Sequence, residues 1–283
     1  SRASGIGLGL ATLWFSLLVL IPLAAVLVQT SAGGWSAFWE VITDEQTAAA
    51  IRMTVLEALA VTGVNVVIGT LIAWVLVRDD FPGKRVLDVV IDIPFALPTI
   101  VAGLVLLSLY GPSSPLGVDV ANTRAAVFLA FLFVTLPFVV RTVHPVLAEL
   151  DPEAEQAAAS LGASRPAIFR RIILPALLPA ICAGAAMSFA RAISEYGSLV
   201  LISGNLPLRT EAASVRILAF IENGNLAAAS AVATILLAIA LAAIVALDVV
   251  QGQRDRHRAS GERAPSAFAA RRRVRPRRVA RRG

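Results

Sequence analysis

The sequence has 283 residues, of which 57% are hydrophobic and only 16% are charged. Soluble domains usually carry about 25% charged residues, so this composition excludes an ordinary water-soluble domain and favours a membrane protein. The single cysteine, Cys182, excludes an intrachain disulfide and a cysteine cluster for a metal. The net charge of +6 comes from the C-terminal end, where residues 251–283 contain twelve arginines against Asp255 and Glu262.

Six stretches without charged residues predict six transmembrane helices, and therefore an all-α polytopic membrane protein. They cover residues 3–39, 58–77, 93–118, 125–140, 172–190 and 223–247. The first apolar run exceeds the roughly 7–15 residues of a signal-peptide core, which predicts a retained helix. The fourth stretch covers about 24 Å, less than the roughly 30 Å hydrocarbon core. We therefore expect it to borrow Asn122 and Thr123, or to lie in protein rather than in lipid.

Basic residues near helix ends predict the orientation, because they stay on the cytoplasmic side. They follow the second span as Arg78, Lys84 and Arg85, the fourth as Arg141, Arg165, Arg170 and Arg171, and the sixth as the arginine-rich tail. Both termini are therefore expected in the cytoplasm. The tail has no folded nucleic-acid motif beside it, so we expect contact with membrane lipid and not with nucleic acid. Trp35 and Trp39, in the outward linker 29–57, are typical of membrane-interface anchors.

Two prolines, Pro94 and Pro98, lie in the third apolar stretch. Each removes a backbone donor and bends or breaks a helix. In a membrane such a break is tolerated where it is buried in protein or lines a cavity. The sequence leaves an ordinary kink and a true break as equal alternatives.

The most informative segment is the cytoplasmic linker DPEAEQAAASLGASRPAIFRRIILPALLPAI, residues 151–181. A helix-forming run is followed by Gly162, which ends or bends it. The segment resembles the coupling loop of type I ABC importer permeases, whose pattern is Glu-Ala-Ala, then Gly, then Ile-x-Leu-Pro. The matching residues are Ala157, Ala158, Gly162, Ile172, Leu174 and Pro175, with Gln156 at the usual glutamate position and Glu155 just before it.

Four further blocks narrow the resemblance. LIAWVLVRDDFPGKRVLD, DIPFALPTIVAGL, LPFVVRTVHPVLAELDPE and SFARAISEYGSLVLISGNLP are similar to the T-type permease subunit of sulfate/thiosulfate importers. A permease for molybdate, tungstate or another oxyanion is the alternative. The resemblance implies a type I ABC importer permease fold in the bacterial inner membrane. It extends to about residue 250 and implies a transmembrane domain at 51–250 with the coupling loop at 151–175. Residues 1–50 are expected to form the first transmembrane helix and the outward linker. The basic tail at 251–283 lies outside the resemblance and is expected to be disordered in the cytoplasm.

The resemblance also implies partners. These are a homologous second permease subunit, two cytoplasmic ATPase subunits and an extracytoplasmic sulfate-binding protein. The chain lacks the Gly-rich phosphate loop with its lysine, so it is not expected to hydrolyse ATP itself. No cofactor and no metal are expected, and the chain is interpreted as a transport subunit and not an enzyme.

Charged residues at membrane depth are costly and usually face a bundle interior or a water-filled cavity. Arg191 and Glu195 lie four residues apart and share a helix face. Arg191 either lines the anion path, where a guanidinium gives two parallel bonds to an oxyanion, or forms a structural ion pair with Glu195. Asp88 and Asp92, also four apart, are expected to contact the cytoplasmic side and not the anion.

Two other function classes remain as alternatives. A secondary anion carrier usually shows an internal repeat, which is not visible here. An intramembrane hydrolase needs a buried nucleophile with its base or a metal cluster. The two histidines, His144 and His257, both fall in predicted cytoplasmic segments, which disfavours that class.

Overall fold

The computed structural model describes the backbone of residues 2–262 and the side chains of residues 7–247 and 249, and within these residues it contains helices and no strands. The helices are α1 (Arg2–Phe15), α2 (Ile21–Ala32), α3 (Gly34–Thr43), α4 (Glu45–Arg78), α5 (Lys84–Ala96), α6 (Thr99–Tyr110), α7 (Arg124–Ala148), α8 (Pro152–Ser160), α9 (Arg165–Ile168), α10 (Leu174–Ile193), α11 (Gly197–Ile202), α12 (Ala213–Glu222) and α13 (Leu226–Glu262). Single π-helical turns, Ser16–Leu20 and Phe169–Ile173, join α1 to α2 and α9 to α10. The all-α prediction is confirmed.

Five helical segments of the described chain are long and apolar enough to cross a bilayer. They are Gly7–Ala32, Glu45–Arg78, Arg124–Ala148, Arg165–Ile193 and Leu226–Leu247. A sixth span exists only as the pair α5 and α6, which bend by 116° at their junction. The prediction of six membrane segments is therefore confirmed, with the third one broken.

The break in the third segment lies at Pro98. The preceding residue, Leu97, is extended with φ −86° and ψ 135°, as expected for a residue whose α conformation clashes with the following proline ring. Pro94 lies inside α5 without ending it. Of the two alternatives, the structure therefore shows a break and not a kink. The segment also ends earlier than predicted, at Tyr110, and a loop leads from there to Thr123.

The fourth span was predicted either to borrow Asn122 and Thr123 or to lie in protein. Helix α7 has 25 residues, about 37 Å at 1.5 Å per residue. It gains this length at its C-terminal end and not from Asn122, which has a positive φ of 62°. Thr123 caps the first turn, because its side chain accepts a hydrogen bond from the N–H of Ala126. In its most apolar stretch 56% of the residues are buried, so the helix lies in protein.

The predicted outward linker 29–57 is largely helical. It contains α3 and the first turns of α4, which begins after Asp44. The Asp44 carboxylate accepts the N–H of Thr47 at 2.9 Å, and this bond holds the pKa of Asp44 below its usual range. The proposed boundary at 50/51 therefore falls inside α4. At the other end, α13 continues through residues 251–262, and the rest of the basic tail lies outside the described residues.

Helices α4, α7 and α10 form the centre of the molecule and bury two apolar clusters. The first contains Val61, Phe131 and Phe189, and the second contains Leu76, Val143 and Leu177. Glycines allow the helices to approach closely. A Cβ atom on Gly184 would lie 2.9 Å from the Cα of Val139, and one on Gly69 would lie 2.9 Å from the Cβ of Val139.

Three polar side chains lie between the two clusters, one on each central helix. The Asn65 side-chain N–H donates to Thr135 Oγ1 at 2.7 Å and to Ser188 Oγ at 3.1 Å. All three residues are fully buried. Such interhelical hydrogen bonds contribute about 0.6–2 kcal/mol each in membranes, so the trio fixes how the three helices face one another.

A second close contact joins the broken span to the chain after α10. A Cβ on Gly103 of α6 would lie 2.6 Å from the carbonyl oxygen of Ser198, and one on Gly197 would lie 2.9 Å from the backbone nitrogen of Ile100. The short helix α11 therefore packs backbone to backbone on α6. This contact positions the residues that follow α10.

Candidate coupling loop and charged sites

The coupling loop predicted at 151–175 folds as two short helices joined by a tight turn. Asp151 caps α8, accepting the N–H of Glu153 at 2.8 Å. Gly162 ends the helix in the left-handed region, with φ +84°, and a Cβ there would meet no atom within 4 Å. Glycine is therefore favoured at this position by the left-handed backbone conformation and not by lack of space for a side chain.

Helix α8 has one face exposed to solvent and one face packed against the rest of the protein. Gln156, Ala157 and Gly162 are exposed, whereas Ala158 packs against the second apolar cluster. Glu155 forms an ion pair with Arg78 at the end of α4 and is only 22% exposed. Its charge is thus engaged within the chain, and Gln156 provides the free polar side chain on the open face.

Sequence reasoning missed the most exposed apolar residue of the loop. Leu161, between Gln156 and the turn at Gly162, is 89% exposed, the highest value among the large hydrophobic side chains described. Patterns of hydrophobicity do not distinguish a leucine at a loop tip from one in the core. A leucine beside the turn of a charged, non-spanning linker is the signal that would have found it.

The remaining predicted loop residues lead into the membrane. Ile172, Leu174 and Pro175 are half-buried at the π-helical turn and the start of α10. The turn is also held at its other side, where the ring of Phe169 meets the ring of Trp74 edge-on at 5.7 Å. The loop is therefore in direct contact with α4 and continuous with α10.

The pair Arg191 and Glu195 lies where α10 ends. The two side chains are joined at 2.6 Å, with Glu195 only 1% exposed and Arg191 28% exposed. The other carboxylate oxygen of Glu195 accepts both the N–H and the hydroxyl of Ser198, each at 2.9 Å. Glu195 therefore caps α11 while Arg191 neutralises it.

Arg191 also faces a cavity of about 520 Å³ between α7, α10 and α13. Its lining is mostly apolar and includes Phe138, Met187 and Ile244, with Ser194 at the same level as Arg191. The structure brings Arg191 and Glu195 together as predicted, and Arg191 also lines this cavity.

Asp88 and Asp92 share a partner, Arg141 of α7. Its guanidinium donates to both oxygens of Asp92 at 2.7 Å and to one oxygen of Asp88 at 2.7 Å. A further bond reaches the backbone carbonyl of Asp88 at 2.7 Å. The bidentate geometry fixes α5 against α7. This explains how a charged residue is accommodated inside the fourth span, which the sequence alone made look too short.

Known proteins resemble this chain in both sequence and fold. The sequence profile of the family described as "Binding-protein-dependent transport system inner membrane component" matches residues 65–257. The sulfate transport system permease protein CysT of Salmonella typhimurium is 41% identical over 258 residues, covering 89% of this chain and 93% of that protein. The resemblance predicted from the sequence is therefore confirmed.

Solved structures give the same fold. A crystal structure of a bacterial ABC transporter that imports the acidic polysaccharide alginate matches with a TM-score of 0.70 and 16% identity, covering 89% of this chain and 96% of that one. A second, of the alginate transporter with a pentasaccharide-bound periplasmic protein, matches with a TM-score of 0.67 and 16% identity, covering 87% and 92%. These matches confirm the ABC importer permease fold. The chain belongs to the family of inner membrane components of binding-protein-dependent transport systems.

Proposed function

We propose that this chain is a permease subunit of an ATP-driven importer for sulfate or thiosulfate, and that it forms half of the translocation pathway. As a member of its family it is a multi-pass membrane protein, and ATP hydrolysis belongs to separate subunits. The substrate assignment is supported by the relative at 41% identity, whose name states sulfate transport. A permease for molybdate or another oxyanion remains the second candidate. The GNLP block, residues 204–207, resembles both sulfate and molybdate permeases and does not distinguish the two.

The proposal includes three kinds of partner. A homologous permease subunit completes the pathway, two ATPase subunits lie on the cytoplasmic side, and an external binding protein delivers the anion. The alginate importer with its periplasmic protein supports an assembly of this kind. The proposed orientation places both termini and the loop 151–175 in the cytoplasm, because positive charge is concentrated there.

The observation that carries the coupling role is the exposed tip of the loop. Leu161 is 89% exposed, and Gln156 and Ala157 are exposed on the preceding helix. Binding energy at interfaces concentrates in a few apolar side chains that enter a pocket of the partner. We propose that Leu161 inserts into an ATPase subunit and that the rigid α8 transmits the motion of that subunit to the spans.

One pair of variants tests the orientation and the docking together, in a background carrying Cys182→Ser. Leu161→Cys is expected to be protected from an impermeant thiol reagent in intact cells and modified in opened membranes. Modification should then release the ATPase subunits from the purified complex. The matched control is Leu116→Cys, in the loop predicted to face outward, where Leu116 is 58% exposed. It should be labelled in intact cells, and its modification should leave the ATPase subunits bound.

Labelling of Leu161→Cys from outside would overturn the orientation. Full retention of the ATPase subunits after its modification would overturn the docking role. The substrate is tested separately, by growth of a sulfate-uptake-deficient host on limiting sulfate or thiosulfate. If the complex does not support growth on sulfate or thiosulfate but takes up molybdate, the second candidate replaces sulfate.

A further inference from the structure

The strongest unassigned feature is a polar pocket at the end of the molecule opposite the coupling loop. It has a volume of about 370 Å³ and is lined by Asn122, Thr123, Arg124, Arg209 and Thr210. The length of α7 separates it from the loop, since Arg124 begins that helix and Ala148 ends it next to α8. In the proposed orientation this is the side on which the anion arrives.

Four arginines of the described residues are neutralised by carboxylates, and the two arginines of the pocket are not among them. Arg78, Arg141, Arg191 and Arg216 each form an ion pair with a carboxylate. Within residues 7–247, Arg124 and Arg209 form none, and Arg124 makes one hydrogen bond, from Nε to the carbonyl of Arg209 at 3.3 Å. This bond fixes the Arg124 side chain to the backbone of Arg209, and both arginines line the same pocket.

The acidic groups near the pocket do not occupy it. Glu57 on α4 interacts electrostatically with Arg124 without forming an ion pair. Glu211 follows Thr210 but is buried, at 6% exposure, and accepts a hydrogen bond from Gln46 at 2.7 Å. The pocket is therefore positive, and its two guanidinium groups are both exposed.

The backbone around the pocket is strained and firmly held. Three non-glycine residues of the described chain have positive φ, and all three lie here: Asn122, Asn205 and Leu208. Such conformations cost about 1–3 kcal/mol each and persist where the surroundings fix them, often at ligand sites. For a leucine this conformation is uncommon, because its side chain gains nothing from it.

Hydrogen bonds explain what holds the strained loop. The buried hydroxyl of Thr210 donates to the carbonyl of Ser203 at 2.6 Å and accepts the N–H of Leu206 at 3.1 Å. The N–H of Asn122 donates to the carbonyl of Ile202 at 2.9 Å. The loop containing the GNLP block is thus fastened to the chain that precedes α7. Its effect is to hold Arg209 beside Arg124.

We propose that this pocket binds one doubly charged tetrahedral oxyanion, sulfate or thiosulfate, as it enters from the external side. The proposal rests on the proposed function for the orientation and the substrate class. Paired guanidinium groups suit this ligand because each donates two parallel hydrogen bonds to a pair of anionic oxygens. The N-terminal end of α7, which begins at Arg124, adds to the same preference. The strained loop keeps the site formed before the anion arrives.

The test uses the purified complex with its partner subunits and without the external binding protein. Its thermal midpoint is compared in sulfate and in chloride of equal ionic strength, because a bound ligand stabilises the folded state. Part of the stabilisation by sulfate is expected to be lost in Arg124→Gln and in Arg209→Gln. The control is Arg52→Gln. Arg52 is an exposed arginine near the N-terminal end of α4, and it forms no ion pair within the described chain. It should respond to sulfate as the wild type does, including any binding by the ATPase subunits.

Uptake gives the second readout. Each pocket variant is expected to lower uptake about tenfold at subsaturating sulfate, the loss expected for one charge-assisted hydrogen bond. Arg209→Lys should retain part of the activity, since it keeps the charge but not the fork. Docking of the external binding protein, measured directly, should remain unchanged in both glutamine variants.

An unchanged response to sulfate in both glutamine variants would overturn the site. If docking of the binding protein is weaker at the same time, the arginines belong to a protein contact instead. The proposed function fails differently, through a wild-type complex that does not transport sulfate or thiosulfate while the arginine-dependent stabilisation by sulfate is still observed.

Discussion

The first span, Gly7–Ala32, and the fourth, Arg124–Ala148, differ in how much of each helix is buried within the protein. Both are long and apolar enough to cross it, yet no residue is buried in the most apolar stretch of the first, against 56% in the fourth. The first span contains no charged residue. The fourth contains Arg141 and His144 and two prolines. Hydrophobicity therefore identifies both helices as spans, but it does not show which of the two lies at the centre of the fold.

The difference follows from what surrounds each helix. Lipid cannot neutralise a charge or accept a hydrogen bond, so a helix in lipid must be apolar along its length. A helix enclosed by protein finds partners for its polar groups, and it is constrained by shape instead. Substitutions should therefore have small effects in the first span and large ones at the contacts of the fourth.

The largest difference is expected for one substitution made in both places, glycine to leucine. At Gly184 of α10 a Cβ would lie 2.9 Å from the Cα of Val139 in α7, whereas at Gly9 of α1 nothing lies within 4 Å. Overpacking usually costs about 1–3 kcal/mol. Gly184→Leu should exceed this because it meets backbone, and accumulation in the membrane should fall to background. Gly9→Leu should accumulate normally, and equal accumulation of the two would refute the comparison.

The second prediction concerns the charge pair at the end of α10. Arg191→Met leaves Glu195 buried without its cation, which costs about 3 kcal/mol when one partner of a buried pair is lost. We propose that the pair is structural, so the double variant Arg191→Met with Glu195→Gln should regain transport. Gln keeps an oxygen for the N–H and hydroxyl of Ser198. Stable insertion of the double variant without any uptake would instead place Arg191 in the anion path.

The smallest of the three effects is expected at Arg141. Arg141→Gln removes the bonds that hold α5 to α7, but Asp88 and Asp92 are 48% and 50% exposed and gain water in exchange. We expect a loss of about 1–2 kcal/mol. Hydrogen exchange should accelerate in residues 84–96 and remain slow in α7. Lys84→Gln, which removes an exposed pair with Asp80, should leave both unchanged, and equal acceleration in the two variants would contradict the role of Arg141.

The sequence predicted the number of membrane segments because burial in lipid imposes composition. It also predicted that a helix ends at Gly162 in the linker 151–175, because a left-handed turn favours glycine. It placed the ends of the third and fourth spans incorrectly. The fourth span continues past Arg141, whose carboxylate partners lie 49 and 53 residues away in the sequence. A pattern read along one helix does not contain a contact of that kind.

Exposure was the other quantity that the sequence did not contain. Leu161 and Leu177 are the same residue type in neighbouring segments, yet the first is 89% exposed and the second is fully buried. Glu155 and Gln156 are adjacent, and only the structure shows that Glu155 pairs with Arg78. Such differences depend on which elements meet in space, and they decide which residues a partner can reach.

The polar trio between the two apolar clusters also constrains how the protein is made. Asn65 is synthesised 70 residues before Thr135 and 123 residues before Ser188. At roughly 5–20 residues per second, the first of these intervals lasts on the order of 4–14 seconds. Throughout that time the amide of Asn65 has neither hydrogen-bond partner, and lipid offers none. We infer that α4 is retained beside the insertion machinery until α7 and α10 follow, so that the three helices enter the bilayer as one unit.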